Sequence, residues 1–133
     1  MKDLVWDKTL SVEVSEIDDD HRRLLELFNR LGHSVEGGES LEAVAATMDE
    51  LIACTAWHFQ HEERLMQKHG FPGFESHRAE HQELIASGKA MQQRLREQSA
   101  TLSPRDIEGL EQWLTGHIYG LDMAMGSYLA EAM

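Results

Sequence analysis

Cysteine, basic residues and long apolar runs are all scarce in this chain of 133 residues, and each scarcity removes a class of protein. Cys54 is the only cysteine, which excludes an internal disulfide and any thiolate-rich metal site, and a small helical residue is all it needs to be. Twelve Lys and Arg stand against 24 Asp and Glu, and the resulting net charge of −12 repels nucleic acid and anionic membrane surfaces as partners. No apolar run approaches the ~20 residues of a membrane span. The opening Met1-Lys2-Asp3-Leu4-Val5-Trp6-Asp7 puts charges where an export signal needs an apolar stretch, so a cytoplasmic protein is expected. Alternation with period two, internal repeats and low-complexity tracts are missing too, which leaves nothing that reads as a strand.

What is present is enough for one domain. With 41% apolar and 27% charged residues, the chain can bury a sizeable core unaided. Four segments have helical periodicity. Asp18-Asp19-Asp20 opens the first, with Asp18 as its expected cap, and Leu24, Leu25, Phe28, Leu31 and Val35 follow until Gly37-Gly38. Ser40 is the expected N-cap of the second, whose stripe runs from Leu41 to Met66 and closes at Gly70. Phe71-Pro72-Gly73 forces a turn, and a third helix runs from about Glu75 into the nineties. Ser103-Pro104-Arg105-Asp106 starts the fourth, which carries Ile107, Leu110, Leu114, Ile118, Leu121, Met125 and Tyr128. Long helices joined by short connections make antiparallel neighbours, so an all-α, up-down-up-down four-helix bundle is expected over about 18–130. Residues 1–17 form an N-terminal arm, anchored by Trp6, and 1–133 is read as a single domain.

Helical positions advance by about 100° per residue, which decides what points inward. On the second helix Glu62 falls about 20° from the stripe centre and His58 about 60°, while Glu63 lies about 80° away and His61 about 120° away. His58 and Glu62 therefore face the core, Glu63 sits at its edge, and His61 is assigned to a solvated flank in preference to a supporting contact behind an inward residue. Trp57, about 160° away, is expected under the arm or at a contact surface. The same test turns His21 inward on the first helix, and His77 and His81, spaced i, i+4, inward on the third. On the fourth, His117 and Asp122 border the apolar face at i, i+5, about 140° apart on a regular helix. Both reach one point only if they straddle the core or the helix is locally wide-turned, a distortion that Gly116 and Gly120 would ease. His33 and His69 sit near helix C-termini, where a cation suits the dipole.

A lone inward histidine is usually a satisfied core residue, and an isolated buried carboxylate would pair with a cation or stay protonated. Five imidazoles and two carboxylates, with no inward Lys or Arg, exceed what such pairing can satisfy. A metal centre satisfies them. Imidazole with carboxylate suits iron, manganese or zinc, and seven donors are too many for one tetrahedral zinc. Two metals of higher coordination number, sharing the two carboxylates as bridges, account for all seven: His21, His58, Glu62, His77, His81, His117 and Asp122.

These residues resemble the hemerythrin family in its single-domain bacterial form. The resemblance covers nearly the whole chain: Trp6 in the arm, I-D-D-D-H-R-R-L at 17–24, H-F-Q-H-E-E at 58–63, G-F-P at 70–72, H-R-A-E-H at 77–81 and H-I-Y-G-L-D at 117–122. It implies two non-haem iron ions joined by an oxo or hydroxo group, binding dioxygen reversibly. By position, it implies that His77, His81 and His117 bind the iron with no open site, that His21 and His58 bind the other, and that Glu62 and Asp122 bridge. Dioxygen is then expected at the iron held by His21 and His58. Trp113, Leu25, Phe28, Phe59 and Ile118 are ordinary core that could also keep the gas site dry, and Gly88 is read as a close-packing position.

The expected role is oxygen storage, delivery or scavenging by a monomer rather than an enzyme. The alternatives are an oxygen or redox sensor signalling to a partner protein, and redox chemistry on nitric oxide or peroxide at the same centre.

Overall fold

The computed structural model describes residues 3–97 and 102–133; Met1 and Lys2, the first residues of the expected arm, lie outside it. The helices are α1 (Ser15–Glu36), α2 (Leu41–Lys68), α3 (Phe74–Glu97) and a fourth in three parts: α4 (Pro104–His117), a wide π-type turn (Ile118–Asp122) and α5 (Met123–Ala132). They form the expected all-α up-down-up-down bundle, and no strand occurs among the described residues. None of these helices is long and apolar enough to cross a membrane.

The turns follow from glycine. Gly38 and Gly70 have φ of 67° and 65°, the left-handed conformation that a side chain disfavours. Each lets the next amide reach back to a helix carbonyl five residues earlier: Glu39 N–H to Ser34 O at 3.1 Å and Phe71 N–H to Met66 O at 2.9 Å. Ser40 caps α2 by accepting from Ala43 N–H. Ser103 and Asp106 form a reciprocal capping box at α4, with Pro104 inside it.

The first helix departs from expectation. It starts at Ser15, three residues before Asp18, and Val14 provides no side-chain cap. Asp18 instead faces the arm, where its carboxylate accepts from Val12 N–H at 2.9 Å and Ser11 Oγ–H at 2.6 Å. A buried carboxylate gains more from two donors there than from a helix end open to water. The arm is tied down elsewhere as well. Asn29 and the Leu4 backbone exchange two hydrogen bonds, and the Arg22 guanidinium lies 4.0 Å from the half-buried Trp6 ring.

Two apolar clusters fill the bundle. The larger is built on Leu24, Phe28, Leu31, Met48 and Leu114; the smaller on Val12, Ile17, Met66, Met125 and Leu129. The inward polar residues lie between them: His21 between Ile17 and Leu24, and Asp122 between Ile118 and Met125. A polar layer is thus sealed on both sides by hydrocarbon, which strengthens every electrostatic interaction inside it.

Candidate metal centre

All seven inward residues predicted from the sequence converge on this layer. Their exposure runs from zero at Glu62 and Asp122 to 5% at His117. His21 comes from α1, His58 and Glu62 from α2, His77 and His81 from α3. His117 immediately precedes the π-type turn and Asp122 ends it, and within it Gly120 leaves helical geometry (φ −86°, ψ −105°). One extra residue in the turn brings positions five apart into register, so the distorted alternative is the one that occurs. Gly116 lies in α4, before the distortion.

The donors fall into two groups with shared members. Glu62, His77, His81, His117 and Asp122 each offer an atom within 4.8 Å of the others, and so do His21, His58, Glu62 and Asp122. The carboxylates divide their oxygens between the groups. Asp122 Oδ1 lies 2.9 Å from His77 Nε2 and 3.0 Å from His117 Nε2, while Oδ2 lies 3.0 Å from His21 Nε2. Glu62 Oε1 lies 3.0 Å from His81 Nε2 and 3.3 Å from His77 Nε2, while Oε2 lies 2.9 Å from His58 Nε2.

Close as they are, none of these five Nε2 atoms and four oxygens makes a hydrogen bond. They aim at common points rather than at one another. Ligands held about 2.1 Å from one octahedral ion stand about 3.0 Å apart in neighbouring positions, which is the spacing seen here. Nine buried, unpartnered polar atoms would be costly in an ordinary core, and a pair of cations would satisfy them all.

Charge points the same way. Burial pushes the Glu62 carboxyl up, but the surrounding His58, His117 and His21 outweigh it and hold it well below the usual carboxylate range. Asp122 is lowered too, because His117, His21 and His77 override both burial and the nearby Glu62. Burial lowers the imidazoles in turn, yet the two carboxylates, joined at His58 by Asp20, more than offset it, lifting His58 to about 10, His77 to about 9 and His117 to about 10. The cluster attracts positive charge to its middle, whether carried by protons or by metal.

An outer layer holds the imidazoles from behind, and the helical wheel missed it. Asp20, read only as a helix-start acid, lies 2.9 Å from His58 Nδ1. His61, assigned to a solvated flank, is only 16% exposed and lies 2.7 Å from the same Asp20 oxygen. Glu63, placed at the edge, lies 3.2 Å from His81 Nδ1, and Phe59 stacks on the His81 ring at 3.8 Å. A wheel ranks residues by angle from one stripe; flank positions that face a neighbouring helix are half-buried all the same. Trp57 is 54% exposed and not under the arm. His33 pairs with Asp3 on the surface, and the His69 carbonyl accepts from Tyr128. Cys54 is half-buried and unpaired.

Against His21, His58, His117 and Asp122 lies a cavity of about 10 Å³, closed by Leu24, Thr55, Phe59, Trp113, Leu114 and Ile118. Thr55 spends its hydroxyl on the Leu51 carbonyl at 2.7 Å. Leu25 and Phe28 do not border it and are buried in the larger apolar cluster.

Known proteins share this sequence and architecture. The family described as "Hemerythrin HHE cation binding domain" matches residues 12–129. A bacteriohemerythrin of Stenotrophomonas maltophilia (strain R551-3) is 34% identical over 91% of this chain and 78% of its own. The myohemerythrin of Riftia pachyptila is 30% identical over 89% and 87% respectively. A crystal structure of wild-type hemerythrin superposes with a TM-score of 0.88 at 26% identity, covering 96% of this chain and 98% of that one.

Proposed function

The chain belongs to the hemerythrin family, and on that premise we propose that it binds dioxygen reversibly at a pair of non-haem irons, for oxygen storage, delivery or scavenging. His77, His81 and His117 would hold one iron and His21 and His58 the other, with Glu62 and Asp122 shared between them and an oxo or hydroxo group completing the centre. The observation that carries the reading is the division of each buried carboxylate, one oxygen toward each group of imidazoles. When bound, the irons supply the electrons and the open coordination position that dioxygen binding requires.

The chain's own residues do the rest. Five donors converge on one side and four on the other, so the side of His21 and His58 would leave the position that the gas takes. The small cavity that His21 and His58 border has room for about one small molecule and walls that are mostly apolar, which suits a diatomic gas and disfavours water. Neutral imidazoles outnumber carboxylates five to two, and a donor set of low anionic charge favours release of the gas over irreversible oxidation. That makes the protein a binder rather than an enzyme in this reading. One domain over 1–133 and a monomer belong to the same proposal, supported by the continuous bundle and by a net charge of −12 that sets copies apart.

The test is the visible spectrum of the ferrous protein before oxygen, after oxygen and after purging. A charge-transfer band that appears with oxygen and leaves on purging is the expected result. Irreversible oxidation at the first exposure to air, or a colourless protein holding only zinc after iron-replete expression, would end this reading.

A further inference from the structure

His58 differs from the other imidazoles in what stands behind it. A neutral imidazole that binds metal through Nε2 carries its proton on Nδ1; an acceptor there fixes the tautomer, stops the ring from turning and makes Nε2 a stronger donor. In the four-donor group, His21 Nδ1 has no hydrogen-bond partner. The outer support of that group therefore falls on His58 Nδ1, which donates to Asp20 Oδ2 at 2.9 Å.

Asp20 is itself held. The same Oδ2 lies 2.7 Å from His61 Nδ1, and His61 Nε2 lies 3.2 Å from Glu16 Oε2. Glu16 and Asp20 sit one turn apart on α1, and His58 and His61 nearly one turn apart on α2, so the chain of contacts laces the seam between the two helices. It runs from buried His58 through Asp20 (13% exposed) and His61 (16%) to Glu16 at the surface. Two N–H groups converging on one oxygen leave that carboxylate little freedom. Behind the other group the arrangement differs: Glu63 holds His81, and the residue beyond it is Arg78, at 3.7 Å.

We propose that Asp20 and His61 are positioning residues for the iron with the open site: His61 holds the Asp20 carboxylate in place, and Asp20 sets the orientation and donor strength of His58. This rests on the di-iron reading above. A metal whose imidazole partner leans on an anion is better stabilised in its ferric state, so Asp20 acts on the ease of oxidation at the position where dioxygen binds. His61, which touches neither metal nor gas, then acts through two hydrogen bonds.

Asp20→Asn, His61→Leu and the unaltered protein, each loaded anaerobically with ferrous iron, test this by iron loss to a chelator and by midpoint potential. Asp20→Asn is expected to release iron about 10- to 100-fold more readily and to have a raised potential. His61→Leu shifts both in the same direction by less. A role confined to joining α1 and α2 would lower the unfolding temperature and leave the potential where it is, which overturns the proposal. So does wild-type iron retention and potential in both variants. If Asp20→Asn does not fold, His61→Leu, near the surface, decides alone. An unaltered protein that takes up no iron overturns the di-iron reading and this proposal together, whereas iron-loaded protein with unaffected variants overturns this proposal only.

Discussion

His117 and Asp122, five residues apart in the chain, present Nε2 and Oδ1 3.0 Å from one another across a single wide turn of the fourth helix. A regular helix would set them about 140° apart. The π-type turn is therefore part of the site, and the spacing of the pair matters as much as its identity. Exchanging the two residues at 121 and 122 (Leu121→Asp with Asp122→Leu) keeps the composition and moves the carboxylate by one position. Iron per chain, measured after anaerobic loading, is expected to fall to half or less of that in the unaltered protein. Full loading of the double variant would show that the turn adapts to the ligand instead of presenting it.

Neighbouring glutamates give a second contrast. Glu62 shares its oxygens between both groups, whereas Glu63 reaches only the back of His81. Glu62→Ala should abolish iron binding. Glu63→Gln should keep the stoichiometry and weaken affinity about 10- to 100-fold, as loss of an outer-layer partner does. Equal behaviour of the two variants in iron titrations would contradict the geometry.

The raised imidazoles predict a pH dependence. His58, His77 and His117 reach about 10, 9 and 10 in the metal-free fold, above the ordinary 6.5, so their protonated forms stabilise that fold. This stabilisation is fully present below about pH 6.5 and is lost as pH rises through 9 to 10. Metal-free protein should therefore melt at progressively lower temperature between pH 7 and 10. Metal must displace the same protons, so iron uptake releases acid and tightens as pH rises over that range. A weakly buffered titration reads the release directly, and uptake without proton release would refute the argument.

Two glycines that look alike in the sequence should differ sharply on substitution. A Cβ at Gly126 would stand 2.2 Å from the Val12 carbonyl oxygen, which is backbone and cannot turn aside. A Cβ at Gly88 would stand 2.5 Å from Ile52 Cδ1, the free end of a flexible side chain. Gly126→Ala should cost about 1–3 kcal/mol by overpacking and release the arm, seen as a red shift of Trp6 fluorescence in a background lacking the other tryptophans. Gly88→Ala should cost less than about 1 kcal/mol. Thermal melts of the two variants make the comparison.

Much of this molecule was legible in the chain because helical periodicity is a local property. The boundaries at Gly37, Ser40, Gly70 and Ser103 follow from residues within a turn of each end, and the inward placement of His21, His58, Glu62, His77 and His81 follows from their angle to an apolar stripe. The chemistry of the donors, imidazole and carboxylate without a cation, needed only a count. The two groups and their shared carboxylates followed once the family pattern was laid over those positions.

Relations between helices were decided only in three dimensions. Asp18 reads as a helix cap and serves the arm, because whether a carboxylate meets a helix end or a crossing strand of chain depends on where residue 12 lies. Asp20 reads as a helix-start acid, His61 as a solvated flank and Glu63 as an edge, yet α1, α2 and α3 lie close enough to turn all three into the support of the imidazoles. Sequence spacing alone allowed His117 and Asp122 either to straddle the core or to share a widened turn; the packed bundle takes the second. A wheel has one axis, and what tertiary structure adds is the distance between axes, on which every contact from one helix to the next depends.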